Sequence, residues 1–160
     1  ILGQQVSVKG ATTLAGRMAA EFGDKFDTPF DGLTHTTPDV ERIANARVTR
    51  IRAIGMPVKR AETIRLVARA VVNGDLQLHA GTDPETIRER LIEIPGIGEW
   101  TASYVAMRAL SWPDALPYGD LGVKKALDLT RAKDIEARTE AWRPWRSYAA
   151  IYLWLSLSGG

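Results

Sequence analysis

No cysteine occurs anywhere in the 160 residues. That excludes disulfides, a thiolate-held zinc site, an iron–sulfur cluster and a cysteine nucleophile, while leaving the redox compartment undetermined. Only two histidines are present, His35 and His79, both in loop-like sequence, and neither is assigned a role. No apolar run approaches the roughly 18 residues of a membrane span, and no signal peptide is visible, so no membrane partner is expected. Alternating strand patterns of convincing length, internal repeats and low-complexity tracts are also missing. The net charge of +2 is too small to name a partner. What remains, 45% hydrophobic and 25% charged residues, is ordinary for a globular protein. A chain of this size can bury about 68–70% of its unfolded surface. Composition thus points to a soluble, intracellular globule, single-domain or two-lobed, and a cytoplasmic location is expected. The chain opens at Ile1 without methionine, inside sequence that reads as helix, so an upstream segment is expected to be missing.

The most informative stretch present is LIEIPGIGEWTASYVAMRAL, from Leu91 to Leu110. Ile87, Leu91 and Ile94 fall at helical spacing, and Pro95, which lacks an N–H, stops that helix. Gly96 and Gly98 permit positive φ and remove side-chain bulk. The following helix is expected to open with bare backbone N–H groups, which together with the helix dipole favour an anion such as a phosphate. Two helices so joined form a helix-hairpin-helix element, which grips a nucleic-acid backbone without reading bases. An ordinary αα-corner with glycine at its tight turn is the alternative.

The rest of the chain reads as all-helical. Gln4 to Phe22 is predicted as an amphipathic helix with Val8, Leu14, Ala15 and Met18 among its apolar positions. Thr37-Pro38 and Asp83-Pro84 each place a capping oxygen before a proline at the first helical position. Pro57 to Asn73 forms a helix with an Ile64, Val67, Ala68 and Val71 stripe, stopped by Gly74. The last helix, Ser147 to Leu157, is apolar nearly all round and is expected to be buried. The Pro-rich stretch from Trp112 to Pro117 is read as a connection between two helical lobes, 1–112 and 113–160, with a cleft between them. Charge is asymmetric: Arg47, Arg50, Arg52, Lys59 and Arg60 form a run without an acid. Lys124, Lys125, Arg131 and Lys133 make a second basic cluster, whereas Asp83, Glu85, Glu89 and Glu93 make the helix before the hairpin acidic. Such asymmetry suits one DNA-facing side, although solvated helix faces give the same pattern.

Asp120, in LPYGDLGVKKAL, precedes helix-forming residues and reads first as an N-cap. A residue at a helix start is also rigidly placed and partly exposed, so its carboxylate could do chemistry as well. All the tryptophans and tyrosines lie from Trp100 onward: Trp100, Tyr104, Trp112, Tyr118, Trp142, Trp145, Tyr148, Tyr152 and Trp154. Most are expected in the core, but some could stack on a base drawn out of a duplex.

The segments ILGQQVS (Ile1 to Ser7), IGMPVKRAE (Ile54 to Glu62), IPGIGEWTASY (Ile94 to Tyr104), LPYGD (Leu116 to Asp120) and WRPWRSYA (Trp142 to Ala149) together resemble a known family. It is the bacterial alkylation-repair 3-methyladenine DNA glycosylase II family, within the helix-hairpin-helix glycosylase superfamily. The resemblance runs along essentially the whole chain, lacks the family's N-terminal domain, and implies an all-α, two-lobed glycosylase core. Asp120 matches the family's catalytic aspartate, whose ionised carboxylate stabilises an oxocarbenium-like sugar and orients or deprotonates water. Trp100, Tyr104 and Trp154 match aromatic residues lining the base pocket, where a cationic alkylated purine is held by cation–π stacking. Gly96, Ile97 and Gly98, with Thr101, match the backbone-binding hairpin, where relatives often show a bound sodium or potassium ion; no other cofactor is implied. Gln5 stands where the family's best-known form places an apolar wedge. Relatives that nick the strand carry at position 100 a lysine that forms a Schiff base, so Trp100 implies water attack alone. The implied activity is base excision repair of alkylated purines in double-stranded DNA, by a monomer that flips the base. A non-catalytic helix-hairpin-helix DNA-binding module, or an inactive fragment, remain the other readings.

Overall fold

The computed structural model describes residues 1–79 and 81–158. Helix accounts for 59% of the structure and no strand forms among the described residues, as the all-α expectation requires. A lone bridge pairs Lys25 with His35 in the loop after the first helix. Among the described residues no helix is long and apolar enough to cross a membrane.

The chain divides into two compact units, residues 1–76 with 94–96 and residues 77–93 with 97–160. The stretch from Trp112 to Pro117, expected to connect two lobes, therefore lies inside the second unit.

In the first unit α1 spans Val8–Phe22, α2 Val40–Asn45, α3 Val48–Arg52 and α4 Val58–Val72. Helix α1 starts later than its apolar pattern suggests, because Ser7 accepts a hydrogen bond from the Gly10 amide and caps it, while Gln5 takes the left-handed φ of 54°. Gln4 and Gln5 thus sit in a turn before the helix. The buried stripe of α1 is Leu14, Met18 and Phe22, at four-residue spacing; Val8, in the first turn, is 85% exposed and Ala15 also faces out. Helix α2 is capped by Asp39, whose carboxylate accepts from the Arg42 amide, and not by Thr37 as the Pro38 signal suggested. An Asp one residue past the proline outcompetes the threonine. Phe22, Ile43, Ile51, Met56 and Ile64 meet in the core. In α4 only Ile64 and Ala68 of the expected stripe are buried, with Val67 and Val71 at its margin.

In the second unit α5 spans Pro84–Glu93, α6 Glu99–Ala109, α7 Leu121–Leu127, α8 Ala132–Thr139 and α9 Arg146–Ser158. Asp83 caps α5 as the sequence predicts, accepting from the Thr86 amide at 2.9 Å. Ile87 and Leu91 of α5 are buried, and Val123 of α7, Ile135 of α8 and Ala150 of α9 are fully buried in one cluster with Leu116. The expectation that α9 is buried all round fails. Tyr148, Tyr152 and Leu155 are 62%, 76% and 64% exposed, while Arg146, Ser147 and Ala150 carry the inward face. Apolar composition alone does not bury a helix that has a packing partner on one side only.

Candidate active site

The hairpin between α5 and α6 forms where Pro95 and Gly96 place it. Gly96 has φ of 91°, and a Cβ there would stand 2.1 Å from Thr63 Oγ1, so only glycine fits both the turn and its neighbour. Thr63 Oγ1 in turn donates to the Pro95 carbonyl at 2.8 Å, and Gln4 Nε2 donates to the Gly96 carbonyl at 3.3 Å. Arg60 donates to the Gln4 carbonyl at 2.5 Å. The turn is thus fastened to α4 and to the N-terminal segment within the first unit. Gly98 does not use positive φ: it is the N-cap of α6 with φ of −97°, and contributes no side-chain cap. Ile97 is buried, and Thr101, in the first turn of α6, is buried too. The start of α6 therefore lacks the side-chain oxygen that most helix starts acquire.

Asp120 begins α7 in the manner its sequence context predicts, with Oδ1 accepting from the Val123 amide at 2.9 Å. Its cap role is only part of its environment. Oδ1 also accepts from the Trp154 indole N–H at 2.7 Å, and Oδ2 accepts from the Trp100 indole N–H at 2.9 Å. One half-exposed carboxylate is thus held by three N–H donors from α6, α7 and α9. Trp100 and Tyr104, one turn apart on α6, stack with centroids 5.3 Å apart and planes 18° apart, and Tyr104 meets Trp154 at 6.2 Å. Both Trp100 and Tyr104 remain 36% exposed, so their outer faces stay open to solvent. The structure brings Asp120, Trp100, Tyr104 and Trp154 into one group, all within the second unit.

The segment leading to Asp120 is immobilised by contacts that sequence reasoning missed. Arg146, 3% exposed, makes a bidentate pair with buried Asp114: Nε to Oδ1 and Nη2 to Oδ2, each at 2.7 Å. It also donates to the Tyr118 hydroxyl, and Arg143 adds a further bond to Asp114. Burial pushes the Tyr118 hydroxyl above its ordinary pKa, with the Arg146 guanidinium pulling the other way. Ser147 Oγ shares its one hydroxyl proton between the carbonyls of Trp112 and Ala115, and the Ser147 amide donates to that of Pro113. Helix α9 therefore grips residues 112–118 with its first turn and the Asp120 carboxylate with Trp154, two turns later. The signal available in the sequence was an acid inside WPDALP and two arginines inside WRPWRS, but nothing in their spacing pairs them.

The basic run of the first unit is partly spent on the fold. Arg50 pairs with Glu21 and lies over the Phe22 ring at 5.1 Å, and Arg60 is used on Gln4, leaving Arg47, Arg52 and Lys59 exposed. In the second cluster Arg131 pairs with Asp134. The Gln5 side chain is exposed at its left-handed turn. Among the described residues no three His, Asp or Glu side chains gather as a metal site would require.

The sequence pattern of HhH-GPD superfamily base excision DNA repair proteins matches residues 1–147. The chain is 38% identical over 161 residues to a probable bifunctional transcriptional activator/DNA repair enzyme AlkA of Mycobacterium tuberculosis, covering 98% of this chain and 32% of that protein. To DNA-3-methyladenine glycosylase 2 of Escherichia coli (strain K12) it is 36% identical over 154 residues, covering 96% of this chain and 54% of that protein. Among solved structures, the 3-methyladenine DNA-glycosylase of Archaeoglobus fulgidus aligns with a TM-score of 0.77 and 26% identity, over 96% of this chain and 54% of its own. The chain thus spans about half the length, or less, of the curated relatives it matches.

Proposed function

The chain belongs to the HhH-GPD superfamily of base excision DNA repair proteins, and from that premise we propose that it is the core of a monofunctional DNA glycosylase acting on alkylated purines in duplex DNA. The observation that carries this reading is the Asp120 carboxylate, half-exposed and hydrogen-bonded by Trp100 and Trp154 beside Tyr104. The names of the two curated relatives, a DNA repair enzyme and a DNA-3-methyladenine glycosylase, supply the substrate class.

The chemistry follows from charge. A 3-methyl- or 7-methylpurine is cationic, so its glycosidic bond is weak and the base departs as a neutral molecule when the bond to the sugar C1′ breaks. The positive charge then sits on the sugar, where Asp120 stabilises it electrostatically. Water adds its oxygen to C1′ and gives its proton to the carboxylate or to solvent, leaving an abasic site. With Trp100 at the position where strand-nicking relatives carry a lysine, no amine stands there to attack the sugar, and the strand is left uncut. Because the Trp100 and Tyr104 rings already touch each other, a flipped base stacks on an outward face and is not sandwiched between them. Recognition by a π face selects for positive charge more than for shape, which favours a broad range of alkylated bases.

The backbone amides of Gly96, Ile97 and Gly98, with Thr101, hold a phosphate in this reading, and Gln5 fills the gap left by the flipped nucleotide. A monovalent cation at the hairpin would use backbone carbonyls. Those of Pro95 and Gly96 each accept a side-chain hydrogen bond, from Thr63 and Gln4. The protein works as a monomer on DNA in the bacterial cytoplasm.

The test is release of methylated purines from alkylated duplex DNA by the chain, with an Asp120→Asn variant as control. Release by the parental chain and its loss in the variant, at unchanged DNA affinity, support the reading. Excision at the parental rate by Asp120→Asn would sink it. Borohydride trapping of a covalent adduct on damaged DNA would contradict water attack.

A further inference from the structure

We propose that Gly122 is a positioning residue for the Asp120 carboxylate, acting through the Trp154 indole; this rests on the glycosylase reading of Asp120. Gly122 lies in the first turn of α7, a seven-residue helix. Glycine there is disfavoured: it takes ordinary helical backbone, gains nothing from its freedom, and weakens a short helix relative to alanine. Its φ gives no reason for it. Space does. A Cβ at position 122 would stand 2.8 Å from Trp154 Cδ1, 3.1 Å from Trp154 Nε1 and 3.1 Å from Asp120 Oδ1. The missing side chain is therefore what lets the indole lie against the backbone of α7 with its N–H 2.7 Å from Asp120 Oδ1.

The consequence is geometric. Oδ1 accepts two N–H donors, from Val123 and Trp154, and Oδ2 accepts one, from Trp100. Donors on both oxygens fix the carboxylate about its Cβ–Cγ bond, and Oδ2, with the fewer donors, is the oxygen this proposal turns to the sugar cation or the attacking water. A cap alone holds the torsion at one oxygen by one amide, as the Arg42 amide does at Asp39 Oδ1. At Asp120 the extra donors come from aromatic side chains that cannot follow a shifted carboxylate, because each ring is packed against others in the same unit.

Gly122→Ala removes no functional group, yet it presses on both partners of the Trp154–Asp120 bond. The experiment pairs it with Trp154→Phe and the double variant, and reads two signals. In nitrogen-15 spectra, Gly122→Ala should shift the Trp154 indole N–H away from its hydrogen-bonded position. In single-turnover excision of 3-methyladenine, Gly122→Ala and Trp154→Phe should each lower the rate constant by about tenfold or more, with DNA affinity unchanged. In the Trp154→Phe background the added alanine should cost less than it does alone, because the indole N–H it displaces is gone and only its direct 3.1 Å approach to Asp120 Oδ1 remains. An unmoved indole resonance in Gly122→Ala overturns the proposal, as does parental excision by that variant, or rate losses that multiply in the double variant. If parental protein releases no methylated purine, or Asp120→Asn keeps full activity, it is the glycosylase reading that fails. The indole resonances then still decide whether Gly122 places Trp154 on the carboxylate.

Discussion

Helices α6 and α7 begin in opposite ways within the same unit. At the start of α6, Gly98 offers no side chain to the first amides; at the start of α7, Asp120 supplies a carboxylate to the Val123 amide. The dipole and the unpaired donors are the same physics at both ends. What differs is the source of the anion. Helix α7 brings its own and turns it toward α6 and α9, whereas α6 has no side-chain cap at its start, the place where the proposed function puts a phosphate. A further contrast lies between Asp120 and the caps at Asp39 and Asp83. All three accept from an amide three residues on, but Asp120 alone has indole donors from two other helices. Capping is the common property of the three, and the indoles are what single one out.

The comparison is broken most severely by Asp120→Asn, which keeps a good cap because asparagine caps as well as aspartate. We expect excision of alkylated purines to fall by about a thousandfold in single-turnover assays, the size seen when preorganised electrostatic stabilisation is removed. Thermal unfolding should register no more than about 1 kcal/mol, from a Trp100 N–H left facing an amide NH₂. Next in size, Arg146→Met leaves the Asp114 carboxylate buried with only Arg143 beside it. Denaturant titration should show a loss of about 3 kcal/mol, and excision should fall because residues 112–118 no longer hold Asp120 in place. Gly96→Ala combines a left-handed φ with a collision against Thr63, for an expected loss of about 2 kcal/mol by the same measurement. The smallest effect sharpens the contrast. Gly98→Asp gives α6 the cap of α7 and should stabilise the protein by a few tenths of a kcal/mol. The same variant should weaken binding to undamaged duplex DNA by about fivefold in low-salt anisotropy titrations, because the added carboxylate occupies the anion's place.

Local signals in the sequence carried much of the fold. Pro95, Gly96 and the Asp83-Pro84 pair set the limits of α5 and its hairpin because each acts on its own backbone. The limits of α4 were equally plain in Pro57 and Gly74. The failures share a cause: they depended on competition or on distance. Ser7 won the start of α1 from an apolar pattern that extended further back, and Asp39 won the start of α2 from Thr37. Helix α9 is apolar all round, but composition could not say which face meets a partner. At the candidate site, Asp120, Trp100, Tyr104 and Trp154 were marked by family resemblance, and Trp100 and Tyr104 also by their one-turn spacing. That both indoles point their N–H at the carboxylate follows only from three helices meeting. The Asp114–Arg146 pair spans 32 residues and has no local signature at all. Gly122 carries no local signature either, since its reason lies in Trp154, 32 residues further along the chain.

The bonds from Gln4 to the Gly96 carbonyl and from Arg60 to the Gln4 carbonyl tie the turn that bears Gln5 to the hairpin turn. In a protein that holds a phosphate at one of these turns and inserts a side chain at the other, such a fastening works like a calliper set to one opening. The backbone would be gripped and the helix interior probed at a constant offset, so that a stack of normal stiffness resists and a weakened one yields. Were the two turns to play the roles proposed for them, damage would be felt as a difference in how the duplex yields to a turn already set in place.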